Sequence, residues 1–386
     1  MNTRTIMHQW HQHIQSLCPQ LHFYQCQNLA LFSFAVALSQ NCCLSRICAH
    51  VPSNAQPPST KRRLLRFLGN ARLDVPQICL QMASWLRRWN APWCRLLLLL
   101  DETPWHNCWR VLKISVAWKR RAIPLCWLVF PLKKRHKTQP EAVFQLLSQA
   151  QEIIQTYAPQ AQVEFLADRG FCWPQIVRWC QSNGWDYIIR APSQTRFRSA
   201  ATPHHPGIPV CQLVGRGEYW CGSGEIFKHS GWMASNIVVC WPERSGIKRQ
   251  DVKEPWLLIT SLRPTLHCVR HYKRRMWHEE SFRDEKSHGF RWQESQVGVR
   301  CGAYERVERF LLILALAQMG LMALGFKAVT QEWRKKLGIQ SRATRKQWSL
   351  FRHGWQFLQW LIMRTTPLPR KIKWKIEFQP TYICVT

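Results

Sequence analysis

Five consecutive leucines fill positions 96–100 and run directly into Asp101. A short run that is apolar at every position suits a strand buried on both faces. Such a strand calls for a sheet with helices packed on it, which points to an α/β architecture. The segments that follow agree. Residues 111–118 and 123–130 read as two more strands, joined by a tight basic turn at Lys119, Arg120 and Arg121. Residues 140–157 carry a helical pattern, and 162–166 read as a strand with Asp168 just past its end. Residues 174–183 are helical, closed by Gly184, and 187–189 form another short strand. Three strands, helix, strand, helix, strand predicts a mixed sheet with flanking helices.

The rest of the chain is arranged around this core. Residues 1–92 read as a helical and basic region. Within it, 51–60 is rich in Pro, Ser and Asn and looks like a linker. Thr60 is placed to cap a helix that opens Lys61-Arg62-Arg63 and stops at Gly69. Three cations at a helix start oppose its dipole, and a phosphate partner would relieve that. An ordinary solvated face is the alternative. The core is expected over 93–330, with a β-rich insertion at about 193–264 that is rich in Gly, Ser and Pro. A long helix over about 266–288 follows. Residues 310–326 are then apolar except for Gln318. A membrane span needs about 20 such residues, so this segment is expected to be a buried helix. Residues 331–386 form a basic C-terminal region, with cation runs at 334–336 and 342–346.

Charge narrows the function. The chain holds 54 Lys plus Arg against 22 Asp plus Glu, a formal net charge of +32. The cations are spread along its length, which favours an extended nucleic-acid track over a membrane patch. The 17 cysteines include no Cys-x-x-Cys pair, and Cys43, Cys48 and His50 fit no standard zinc spacing. They read as small core residues of a protein in a reducing cytoplasm.

Two acidic residues, Asp101 and Asp168, are expected at the carboxyl ends of buried strands, where ligands of open α/β sheets bind. A carboxylate there is costly unless paired or bound to a metal, and Mg2+ prefers such oxygens. A cap or turn role is the alternative for either. A third comes from the long helix. At about 100° per residue, Tyr272, Arg275, Glu279 and Lys286 fall within one sector of about 60°, while Glu280, Asp284 and Glu285 point elsewhere. Cations beside a metal-binding carboxylate make sense if phosphates lie over it. An i, i+4 ion pair between Arg275 and Glu279 is the plainer reading.

The spacing Tyr272-x2-Arg275-x3-Glu279-x6-Lys286 resembles the Y-R-E-K motif of the insertion-sequence-4 group of DDE transposases. Asp101 in Leu100-Asp101-Glu102-Thr103, and Asp168 in Ala167-Asp168-Arg169-Gly170-Phe171, resemble that group's two catalytic aspartates. Glu102 is a variation that leaves open whether it touches a metal. The resemblance covers about residues 95–325. It implies a ribonuclease-H-like core and Mg2+-dependent cleavage of double-stranded DNA at element ends, followed by strand transfer into target DNA. It implies Asp101, Asp168 and Glu279 as ligands for two Mg2+ ions, with Mn2+ able to substitute. Tyr272, Arg275 and Lys286 become DNA contacts, with Lys61, Arg62 and Arg63 as further ones. Trp220, Trp232 and Trp241 are candidates for stacking on a flipped base. A homodimer on DNA is implied, in the bacterial cytoplasm with the nucleoid. A non-catalytic regulator derived from a transposase, and a structure-selective nuclease, are the other readings.

Overall fold

The computed structural model describes residues 2–132, 139–199, 201–202, 204–245, 250–251, 253–287, 289–299, 304–339 and 349–364. The leucine run lies in β1 (Arg95–Trp105), followed by β2 (Trp109–Trp118) and β3 (Arg121–Pro131). Lys119 and Arg120 both take positive φ, 42° and 66°. That is the two-residue turn whose twist matches a right-twisted hairpin. Helix α6 (Pro140–Tyr157) leads to β4 (Gln162–Ala167), and α7 (Pro174–Ser182) leads to β5 (Asp186–Arg190). Gly184, at φ +66°, makes the reversal between them.

The strands run β3-β2-β1-β4-β5 across the sheet, with β1, β4 and β5 parallel and β2 and β3 antiparallel. A mixed sheet in this order with flanking helices fits the expected ribonuclease-H-like core. The segment read as an insertion supplies β6 (Arg196–Ser199), β7 (Ile208–Pro209), β8 (Tyr219–Ile226), β9 (Met233–Cys240) and β12 (Trp256–Thr260). These carry the same sheet onward to ten strands, because β12 pairs with β5. Only β10 (Arg244–Ser245) and β11 (Gln250–Asp251) pair apart from it, among the described strands.

Five helices precede the sheet: α1 (Asn2–Leu17), α2 (Phe23–Ser39), α3 (Leu44–Ala49), α4 (Pro57–Leu68) and α5 (Val75–Met82). Their buried apolar residues join one continuous core with one face of the sheet. The expected start of α4 is corrected. It begins at Pro57, with proline in its first turn, where the missing N–H is no loss. Thr60 is therefore inside the helix and buried, its hydroxyl donating to Gln56 O at 3.3 Å.

The apolar segment expected at 310–326 forms α10 (Tyr304–Ala328), which is buried within the fold. Helices α11 (Gln331–Lys336) and α12 (Leu350–Met363) follow, and α12 lies along α10. Gly325 and Gly354 permit that approach, since a Cβ on either would fall 1.7 Å from a carbonyl of the other helix. The cation run at 342–346 lies outside the described residues, as do 365–386. The fifteen cysteines among the described residues are all free, ten of them buried, as expected of small core residues.

The long helix expected over 266–288 is broken. It folds as α8 (Leu266–Tyr272), a 3-10 turn over Lys273–Arg275, and α9 (Met276–Glu285). Lys286 ends it at φ −89°, ψ −90°, outside helical geometry, and residue 288 lies outside the described residues.

Candidate active site

The face of the sheet beneath α8 and α9 combines an apolar patch with a row of polar groups. Leu97 and Leu99 of β1 pack there with Leu166, Ile188 and Leu258. Side chains alternate along a strand, so Asp101 and Thr103 continue the row begun by Leu97 and Leu99. Asp101 is not at the end of β1, as expected from sequence. The strand continues to Trp105, paired with β2 alone. What ends at Leu100 is the parallel ladder with β4, whose last pair is Leu100 opposite Ala167. Asp101 and Asp168 therefore both follow directly on the last rung of the same ladder.

The helical side delivers the other groups. Arg275 reaches Asp101, its Nη1 donating to Oδ2 at 3.0 Å, and its Nη2 donates to Glu279 Oε1 at 2.5 Å. The i, i+4 pair anticipated as the plainer reading does form, and the same guanidinium ties it to Asp101. The Tyr272 hydroxyl donates to Asp168 Oδ1 at 3.5 Å, and its ring meets Trp256 edge-on. Lys286 donates to the Thr103 hydroxyl. The structure thus gathers all six motif residues at one place, although Tyr272 and Arg275 are buried and engaged within the protein.

Burial pushes the Asp101 carboxyl up to about 7 in spite of Arg275, and Glu279 and Asp168 add to the rise. Burial likewise raises the Tyr272 hydroxyl and lowers the Lys286 ammonium. Burial also works against the Arg275 charge, but Tyr272, Asp101, Asp168 and Glu279 outweigh it and hold the guanidinium above its usual range. Three carboxylates thus share one buried cation. As the side chains stand, no group of three or more acidic, His or Cys residues among those described is close enough to hold a metal; Arg275 occupies the space between Asp101 and Glu279. The donor set itself, all carboxylate oxygen around a carboxyl that burial and its neighbours disfavour as an anion, suits a hard divalent cation.

Glu102 turns to the opposite face of β1 and pairs with Arg110. Glu280 is at the surface, paired with Arg283. Asp284 and Glu285, read as pointing away from the motif face, are instead buried against the sheet. Glu285 takes both its bonds from Lys113 Nζ, at 2.7 and 2.9 Å, and Asp284 accepts from Arg121 Nε at 2.6 Å. Ser115 and His278 stand 3.3 Å apart beside them. Sequence reading missed this seam. Its one visible signal was Lys113, a lone cation in an apolar strand, which is almost never fully buried unpaired.

The remaining candidates lie elsewhere. Lys61 and Arg62 are exposed on α4, which packs on α2, α3 and α10, and Arg63 bonds to Gln27 and Asn28. Trp220 stands edge-on to Phe197 at 5.1 Å and, like Trp241, packs against the core. Trp232 carries the Arg198 guanidinium over its ring at 4.4 Å.

Comparison with known proteins finds no curated relative that matches the chain. A family model described as the transposase DDE domain matches residues 112–319. That span includes Asp168 and Glu279 and begins downstream of Asp101. Because it takes in more than half of the 386 residues, the chain belongs to the DDE-domain transposase family.

Proposed function

We propose that the chain is an active transposase of the insertion-sequence-4 group, with Asp101, Asp168 and Glu279 as the ligands of two Mg2+ ions. One observation carries this reading: Asp101 and Asp168 follow the same last rung of the parallel ladder, and Arg275 joins Asp101 to Glu279. Bound there, the ions would sharpen the attacking oxygen and stabilise the leaving one in displacement at phosphorus. The chain's own residues supply the rest. Arg275 and Lys286 exchange their contacts with Asp101, Glu279 and Thr103 for phosphate oxygens of the DNA end. Tyr272, wedged by Trp256, orients Asp168. Water attacks the phosphodiester and the bond from phosphorus to the 3′ oxygen breaks, leaving a 5′ phosphate on the flank and a 3′ hydroxyl on the element. That hydroxyl's oxygen then bonds to a target phosphorus while the target's own bond from phosphorus to its 3′ oxygen breaks, and the departing 3′ oxygen takes the proton. Two ends must be held together, which calls for a homodimer on DNA. Lys61 and Arg62 add contacts to flanking duplex, Trp220, Trp232 or Trp241 stacks on a flipped base, and the work is done in the bacterial cytoplasm.

The variants Asp101→Asn, Asp168→Asn and Glu279→Gln test this on a duplex carrying the repeats that flank the gene. Each is expected to keep duplex binding in a gel-shift assay and to lose Mg2+-dependent nicking by at least about a hundredfold. Retained nicking in any one removes that residue from the ligand set.

A further inference from the structure

A groove of about 1120 Å³ opens between the start of α2 and the second half of α4. Arg63, Arg66 and Arg72 line it with the amides Gln27 and Asn28 and the ring of Tyr24. No acidic residue occurs before Asp74, and Asp74 caps α5, its Oδ1 accepting from Gln77 N–H at 3.1 Å. Among the described residues no carboxylate pairs with any of the three arginines. Arg63 is preset, with its Nε donating to Asn28 Oδ1 at 2.6 Å and its Nη2 to Gln27 Oε1 at 3.2 Å. Those bonds use the amide oxygens and turn both NH2 groups into available donors. Burial lowers the Arg63 guanidinium, and the neighbouring Arg66 charge lowers it further. Guanidiniums held together with no acid are relieved by a polyanion.

The aromatic lip decides which polyanion. Tyr24 is 65 % exposed, and Phe23 beside it is 54 % exposed. Their rings meet edge-on at 5.5 Å, and the His22 ring lies 5.6 Å from Tyr24. A duplex keeps its base faces inside its own stack, whereas an unpaired strand offers them. A cationic groove that follows the backbone, with an exposed ring beside it, is the arrangement that sequence-tolerant single-strand binding uses. We propose that the groove between α2 and α4 holds an unpaired DNA strand, with Arg63, Arg66 and Arg72 on its phosphates and Tyr24 stacked on a base. The choice of DNA follows from the family's substrate, and nothing in it depends on the carboxylate site.

The test is fluorescence anisotropy of the full chain in EDTA, with an oligothymidine of about 20 nucleotides and a duplex of equal length as probes. Tyr24→Ala is expected to weaken oligothymidine binding about tenfold and leave the duplex unchanged, while Tyr24→Phe binds both as the parent does. The double change Arg66→Ala, Arg72→Ala is expected to flatten the salt dependence on the single strand by about 1.4 in logarithmic slope, roughly 0.7 for each phosphate left without its arginine. Wild-type oligothymidine affinity in Tyr24→Ala overturns the proposal. So does an equal loss on the duplex, or tighter binding of the matching oligouridine. EDTA suppresses nicking, so the two readings fail separately. A chain that holds the strand but never nicks with Mg2+ breaks only the catalytic one, and a chain that nicks while Tyr24→Ala is neutral breaks only this one.

Discussion

On one side of β1, Leu96, Leu98 and Leu100 enter an apolar core that α2, α6 and α10 help to form. On the other, Leu97 and Leu99, clustered with Val269 and Tyr272 of α8, give way to Asp101 and Thr103, which bond to Arg275 and Lys286 of the helical side. The first face gains stability without direction: each fully buried leucine contributes about 1.5–3 kcal/mol wherever it finds a dry, filled space. The second gains direction at a cost in desolvation. Lys113 and Glu285 are 4 % and 3 % exposed, and a buried pair of this kind often stabilises no better than a hydrophobic pair of similar volume. What it does supply is a fixed rotation of α9 about its axis, and that rotation determines where Glu279 points. A sheet with one oily face and one bonded face separates holding the fold together from aiming the site.

The largest expected effect comes from breaking the bonded face at one partner. Glu285→Ala leaves the Lys113 ammonium buried without its carboxylate, and is expected to cost about 3–5 kcal/mol in denaturant unfolding. Replacing both, Lys113→Met with Glu285→Met, is expected to return most of that stability. Nicking by the double variant should nonetheless fall, since Lys113 is paired directly opposite Asp101 on β2 and Glu285 precedes Lys286. A double variant that nicks like the parent would reduce the seam to a structural role and dissolve the contrast between the faces.

The oily face should fail differently. Gly354→Ala places a methyl group 1.7 Å from Leu321 O, so α12 has to lift from α10. The expected loss is about 3 kcal/mol, with nicking unchanged well below the unfolding temperature. Lost nicking at full occupancy of the folded state would mean that α10 transmits packing to the site.

The two faces were not equally legible in the sequence. The oily one was, because period and run length are local: α6 was anticipated where it falls, β2 and β3 to within two residues, and α10 by its apolar stretch, although α10 starts six residues earlier and β1 runs five residues past its leucines. The motif face of α8 and α9 was legible too, through the spacing from Tyr272 to Lys286, although the 3-10 turn over Lys273–Arg275 interrupts the assumed helical rotation. The seam of Lys113 and Glu285 beside it was not. Lys113 and Glu285 are 172 residues apart, and no local pattern ties them together. The adjacency of Asp101 and Asp168 likewise depends on the parallel register of β1 and β4, a long-range pairing. The misplaced start of α4 had a local signal after all, since Pro57 and Pro58 suit a first turn better than Thr60 suits a cap.

The smallest effect tests the border where the oily face meets the sheet edge. Glu308 of α10 accepts from Val129 N–H of the edge strand β3 at 2.9 Å. Burial pushes its carboxyl up to about 6, with Glu305 adding to the rise against Val129 and Arg309. A folded value above the unfolded one means that the protonated form favours the fold. Its contribution is complete below the ordinary glutamate range and disappears as pH rises through about 6. Glu308→Gln keeps an acceptor for Val129 and removes the charge. It should therefore stabilise the protein by about 1 kcal/mol at pH near 8, roughly half the undiscounted shift because the side chain is partly exposed. The gain should shrink towards zero near pH 5. Thermal unfolding of both proteins across that range reads the difference directly. An equal gain at every pH would assign the effect to side-chain packing, and a loss at high pH would mean that the charged carboxylate is the form α10 uses to cap the edge strand.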